Sequence, residues 1–217
     1  MFGVLSLTKD EVEGRRVIEF GSCAINGTLR PFVESLHPVE YIGIDIEKGP
    51  NVDIICDAED VLDKFGRESF DIVISTELLE HVKNWRKVIS NMKNVCKPNG
   101  LILVTTRSYG FPYHAYPYDF WRYEPVDMQH VFSDCDIERL EKDKETPGVL
   151  IKARKPHEFV EADLAGYELY SIIANKRIKE IDKKIFTHSR ILRQQLLRQK
   201  IKKSLYLHIR DMLETII

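Results

Sequence analysis

Short apolar runs punctuate the first two-thirds of this chain, and each ends in a polar or glycine-bearing turn. The clearest are 16–20, 41–45, 70–75 and 101–105, all rich in β-branched residues. Unbroken apolarity over so few residues marks strands covered on both faces, as in a parallel sheet. Residues 52–56 form a shorter fifth run. Between the runs the period changes. From Asn84 to Cys96, the residues Trp85, Val88, Ile89, Met92 and Val95 recur every three or four positions, until Lys97-Pro98-Asn99-Gly100 stops the pattern. That spacing predicts an amphipathic helix with one buried stripe. Residues 137–155, broken by Thr146-Pro147-Gly148, read as a closing hairpin. Strands alternating with helices predict parallel βαβ units wound into a doubly wound, mostly parallel α/β sheet.

The pattern changes after Pro156, the last proline. Beyond it Ile178, Ile181, Ile185, Leu192, Leu196 and Leu205 fall at roughly helical spacing, with Lys and Arg between them. Two regions are therefore expected: 1–156, and a basic helical extension over 157–217. Charge agrees with this division. Residues 1–156 carry 20 basic and 26 acidic side chains, while 157–217 carry 12 and 8, within an overall net charge of −2. An apolar stripe needs a partner surface, so the extension is expected to pack on the core or to form a homodimer through its helices. The other reading is a surface for nucleic acid, an anionic membrane or an acidic partner. Tyr206 has no series of aromatics around it, so base stacking is not indicated.

The 217 residues are 43% hydrophobic and 30% charged, which fits a folded globular chain and excludes a fibrous or disordered one. Cys23, Cys56, Cys96 and Cys135 stand far apart, without the paired spacing of a zinc site or a disulfide framework. No metal site is expected, and the thiols read as reduced in a cytoplasmic protein. No apolar run approaches the ~20 residues of a membrane span. The apolar stretch 1–7 lacks a basic leader and does not read as a secretory signal.

In an open parallel sheet, ligands bind at the carboxyl ends of the strands, so the residues just after each run carry the chemistry. After the first come Glu19-Phe20-Gly21-Ser22-Cys23-Ala24-Ile25-Asn26-Gly27, where Gly21 permits close backbone approach and Asn26 or Thr28 is placed to cap a helix. The second run ends in Asp45, positioned to accept from vicinal ribose hydroxyls, with Glu47 two residues on. Asp57 after the third is suited to a purine amine, and equally to the acidic start of a helix.

With Thr76-Glu77-Leu78-Leu79-Glu80-His81 after the fourth run and Lys97-Pro98-Asn99-Gly100 before the fifth, these loops in order resemble the class I S-adenosylmethionine-dependent methyltransferases, in particular the type-11 group. The resemblance covers about residues 14–155. It implies a seven-stranded Rossmann-like sheet, S-adenosyl-L-methionine as cofactor and S-adenosyl-L-homocysteine as product. By position it assigns the cofactor to Glu19, Gly21, Ser22 and Cys23 in the first motif, to Asp45 and Ile46, to Asp57 and Ala58 on the adenine side, and to Thr76 and Glu77. The chain departs from the group's acid-x-Gly-x-Gly-x-Gly pattern: Cys23 and Ile25 replace two glycines, and glycine returns at Gly27. We read this as a subgroup feature. The absence of Gly-x-Gly-x-x-Gly argues against a nicotinamide enzyme.

Residues 107–125 are the most unusual stretch, with nine aromatic or histidine residues among nineteen. They resemble the Tyr-Pro-x-Asp-x-Trp-Arg-Tyr-x-Pro segment of the same group, which implies an acceptor wall built from Tyr113, His114, Tyr116, Trp121 and Arg122. If the acceptor loses a proton early, His81 and His114 are the candidate bases, since imidazole titrates near neutrality. The expected activity is in-line methyl transfer to a small molecule or glycan. The alternative is a non-catalytic protein of the same fold whose basic tail recruits a partner.

Overall fold

The computed structural model describes residues 7–24, 27–114, 117–194 and 197, and in it the apolar runs become strands of one sheet. β1 (Arg16–Phe20), β2 (Glu40–Asp45), β3 (Ile54–Ile55), β4 (Phe70–Thr76) and β5 (Cys96–Arg107) are mutually parallel. β6 (Trp121–Arg122) leaves this sheet, and the hairpin of β7 (Asp136–Lys142) and β8 (Gly148–Arg154) completes it. The order is β3-β2-β1-β4-β5-β8-β7, seven strands in which β8 runs against both of its neighbours.

Successive side chains of a strand point to opposite faces, and here both faces are dry. Val17, Ile72, Ile74, Leu101 and Leu103 pack with Val12 of α1 (Lys9–Val12) and Val33 of α2 (Arg30–Glu34). Ile18, Phe20, Val73, Ile102 and Val104 face the other way. There they meet α3 (Val61–Phe65), α4 (Trp85–Val95) and α5 (Pro125–Val131). The α4 stripe of Trp85, Val88, Ile89, Met92 and Val95 is fully buried, which is why its three-to-four spacing was legible. Strand order reverses between β1 and β4, so a crevice opens at their carboxyl ends.

The helical reading of the extension needs correction over its first part. Residues 157–182 contain no helix; β9 (Leu169–Ser171) and β10 (Lys176–Ile178) form an antiparallel three-stranded sheet with β6. The reason is local. Leu169, Ser171 and Ile173 are buried while Tyr170 and Ile172 between them are less so, a period of two rather than 3.6. Helix begins only at α6 (Lys183–His188). Leu164, Leu169, Ile173, Ile181 and Leu192 join the same hydrophobic cluster as α4, so the charge boundary at Pro156 is not a break in packing. Leu196, Leu205 and Tyr206 lie outside the described residues. Among the described residues no helix is long and apolar enough to cross a membrane.

Candidate functional site

The loop after β1 is drawn across the end of β2. The Gly21 and Ser22 N–H groups both donate to the Ile44 carbonyl, at 2.9 and 3.0 Å. Gly21 adopts φ +73°, which a side chain would strain. Gly43 is needed for the same approach: a Cβ there would lie 2.6 Å from Ser22 Oγ and would strike the Asn51 carbonyl. Thr28 Oγ1 accepts from the Arg30 N–H at 3.1 Å at the start of α2. Asn26 lies outside the described residues.

Two carboxylates close the ends of β1 and β2. Glu19 is buried and accepts from the Tyr41 hydroxyl at 2.7 Å. Burial pushes its pKa up, offset only in part by the Tyr41 hydrogen bond and the Arg30 charge. Asp45 Oδ2 accepts from the Cys23 N–H and Oδ1 from the Glu47 N–H, each at 3.2 Å. A carboxylate has about four acceptor sites, so each oxygen keeps capacity for a further donor. At the end of β3, Asp57 Oδ1 accepts from the Glu59 N–H at 2.9 Å and caps the 3-10 turn Ala58–Asp60. Asn91 Nδ2 donates to the Ala58 carbonyl at 2.8 Å and ties that turn to α4.

After β4 the backbone kinks at Glu77, whose φ of +56° is rare for a side-chain-bearing residue. Its N–H donates to the Thr105 carbonyl at 2.9 Å, Thr105 Oγ1 donates to its carboxylate at 3.0 Å, and Arg107 ion-pairs with it. Burial, and then the charge of Glu80, push the Glu77 pKa up to about 7 against the pull of Arg107. Glu80 is fully buried. Burial alone would raise its pKa, but His114, His81 and Thr106 outweigh burial and hold its carboxyl below the usual range.

His81 and His114 meet edge to face, with ring centroids 4.8 Å apart. His114 Nδ1 lies 2.9 Å from Asp119 Oδ2. Burial disfavours the His114 cation, yet the hydrogen bond to Asp119 and the negative charges of Asp119 and Glu80 prevail and push its pKa up to about 9.

These groups border one cavity of about 1190 Å³. Every residue assigned to the cofactor from sequence lines it: Glu19, Gly21, Ser22 and Cys23 after β1, Asp45 and Ile46 after β2, Asp57 and Ala58 after β3, and Thr76 and Glu77 after β4. His81 and His114 line it too. Trp121 and Arg122, expected in an acceptor wall, do not. Both are buried in the fold, Trp121 donating from Nε1 to the Val82 carbonyl at 2.9 Å and Arg122 clamped on Asp119. Tyr113 is half-buried and packs on the core, off the cavity lining. Tyr116 lies outside the described residues. The aromatic segment acts mainly as a brace, with the Phe120 N–H donating to the Glu80 carbonyl at 2.7 Å. Arg107, Arg139 and Lys142 also line the cavity and were missed. Arg107 had a signal, since it ends β5; the other two arrive from the hairpin, whose placement is tertiary.

A doubly wound sheet with one reversed strand, acids near the ends of its first two strands and a cavity at its switch point has the architecture of the methyltransferase fold. Residues 3–143 match the methyltransferase-domain family, and the chain belongs to that family. The fold is similar to an S-adenosylmethionine-dependent methyltransferase from Mesorhizobium loti, with TM-score 0.53 and 17% identity over 69% of this chain and 94% of that one. It is also similar to the 1,6-didemethyltoxoflavin-N1-methyltransferase of Burkholderia thailandensis, solved with S-adenosylhomocysteine bound. There the TM-score is 0.53 and the identity 11%, over 66% of this chain and 72% of that one. In sequence, 110 residues are 29% identical to phthiotriol/phenolphthiotriol dimycocerosates methyltransferase 1 of Mycobacterium ulcerans, 45% of this chain and 40% of that protein. The chain thus matches about two-fifths of the length of that relative.

Proposed function

We propose that the protein is an S-adenosylmethionine-dependent methyltransferase acting on a small-molecule or glycan acceptor. One observation carries the reading: in a chain of the methyltransferase-domain family, Glu19 and Asp45 end adjacent parallel strands and open onto one cavity. The donor set suits the cofactor's three polar parts. Asp45 retains acceptor sites for a ribose diol, Glu19 offers a buried carboxylate for the ammonium of the methionine end, and Asp57 with Ala58 suits the adenine edge. Gly21, Ser22, Cys23, Ile46, Thr76 and Glu77 fill the wall between these contacts.

A sulfonium cofactor supplies a methyl group that is already activated. The work left to the chain is to align an acceptor and to exclude water. His81, His114 and Pro117 border the cavity beyond Glu77 and would meet the acceptor. His114, with its pKa near 9, is an imidazolium at neutral pH and a poor proton acceptor. A relative named as a phthiotriol/phenolphthiotriol dimycocerosates methyltransferase supports a small-molecule acceptor for this chain. Four free cysteines support a cytoplasmic setting. The exposed Leu197, beyond the buried Leu192, leaves room for a homodimer contact. Calorimetry with S-adenosylhomocysteine tests the reading: one equivalent should bind, and a folded protein that binds none refutes it.

A further inference from the structure

The cysteine spacing suggests no metal site, and His81 and His114 are remote along the chain. The fold brings them together over Glu80. His114 Nε2 lies 3.7 Å and His81 Nε2 4.0 Å from the same oxygen, Glu80 Oε1, and the three ligand atoms fall within 4.8 Å of one another. Donors sharing one ion at about 2.1 Å sit roughly 3–3.5 Å apart, so the cluster needs to close by about 1 Å.

Three further facts show a built site. First, Glu80 is fully buried, its Oε2 accepts from Thr106 Oγ1 at 2.7 Å, and its Oε1 has no hydrogen-bond donor. The His114 imidazolium stands 3.7 Å from that oxygen, beyond hydrogen-bond reach, so a metal ion that displaces its Nε2 proton would compensate the carboxylate more closely. Second, the far nitrogens of both imidazoles are already engaged. His81 Nδ1 lies 2.6 Å from the Tyr118 carbonyl, which can only accept, so this nitrogen carries the proton. His114 Nδ1 likewise donates to Asp119 Oδ2 at 2.9 Å, a carboxylate kept ionised by Arg122. Both Nε2 atoms are thereby aimed at Glu80, the arrangement in which a metal-binding histidine donates its other N–H to a carbonyl or carboxylate. Third, His81 and His114 line the cavity while Glu80 stands behind them, so an ion here would keep open positions toward the acceptor side.

We propose that Glu80 Oε1, His81 Nε2 and His114 Nε2 bind one divalent transition-metal ion at the acceptor side of the cavity. Two imidazoles and one carboxylate favour ions such as Mn²⁺, Co²⁺ or Zn²⁺ over Mg²⁺ and Ca²⁺, which prefer all-oxygen sets. An ion held by three protein groups can take a hydroxyl or carboxylate oxygen as a further ligand. On the methyl-transfer reading, it would hold an oxygen acceptor.

The test uses the full chain, stripped with a chelator and titrated with Co²⁺. Nitrogen and oxygen ligation give a d–d spectrum without the thiolate charge-transfer band that adventitious binding to the four cysteines would produce. One Co²⁺ per chain is expected, weakened about tenfold or more by Glu80→Gln and by His114→Asn. S-adenosylhomocysteine binding is measured on the same samples. It should persist in the stripped protein and in His114→Asn, which serves as the check on folding should Glu80→Gln fail to fold. A thiolate spectrum, the absence of stoichiometric Co²⁺, or unchanged affinity in His114→Asn overturns the metal site. Loss of nucleoside binding by all forms with Co²⁺ binding intact would overturn the methyl-transfer reading and leave the metal site standing.

Discussion

Asp119 grips Arg122 with both oxygens, at 2.5 and 2.7 Å, and one of them also accepts from the His114 backbone N–H and its ring Nδ1. Both partners of the ion pair are fully buried. Arg122 spends its remaining donors on the Phe111, Pro112 and Trp121 carbonyls. A sequence motif that reads as ligand-binding is thus the internal clamp that sets the position of His114.

Breaking the clamp from one side should be expensive. Arg122→Met leaves the buried Asp119 with His114 in place of its bidentate partner, and we expect a loss of about 3 kcal/mol in urea denaturation. The double variant Asp119→Asn/Arg122→Met should recover a large part of that loss. Equal instability of the single and double variants would show that Arg122 acts through packing alone.

Asp45 is expected to govern cofactor affinity. Asp45→Ala should weaken S-adenosylhomocysteine binding by about 1.5–3 kcal/mol, the scale of hydrogen bonds to a charged group. An unchanged Kd by calorimetry would remove the ribose assignment.

Asp57 caps a 3-10 turn as well as facing the cavity, so its two roles need separating. Asp57→Asn keeps an oxygen for the Glu59 N–H but puts an amide donor where a purine amine would donate. This variant should keep its stability and lose its preference for the adenosine ligand over its inosine counterpart. Intact discrimination would leave Asp57 with the capping role only.

Glu19 gives a pH-dependent prediction. Its folded pKa is raised by burial, so the fold prefers the neutral acid. Wild-type stability at this group is greatest below the unfolded pKa of about 4.3 and falls as pH rises through the folded value. Glu19→Gln stays neutral throughout and can still accept from Tyr41. Its stability relative to wild type should therefore grow between about pH 4 and pH 8 in denaturant titrations. Saturating S-adenosylhomocysteine, which brings an ammonium, should shrink that gap. A difference independent of pH would mean that the fold does not shift the Glu19 pKa.

The parts of the fold written most plainly were those whose pattern matched their burial. β1, β2, β4 and β5 are covered on both faces and read as solid apolar runs, and α4 shows its stripe because its apolar residues all lie in the core while the polar ones between them are anchored by hydrogen bonds or exposed. The loops that line the cavity were legible because a parallel sheet places its crevice at the strand ends. β9 was hidden: three residues of alternation, Leu169 to Ser171, carry little weight beside the run of lysines and arginines that follows. Trp121 and Arg122 misled because an aromatic next to a cation is equally at home on a ligand and in a buried clamp. Glu80 was passed over because one carboxylate beside His81 carries no mark of its depth.

β6 pairs with β9 through Trp121 to Ser171 and Arg122 to Tyr170, and the Ile172 N–H donates to the Phe120 carbonyl at 3.0 Å. The cavity residues from Glu19 to Glu77 stand after β1 to β4 and have all been made once the chain has passed β5. The histidine side is different, because the edge of its brace is closed by a strand that comes much later in the chain. During synthesis the β6–β9 pairing can form only after residues 169–173 have been made, well after both histidines have emerged.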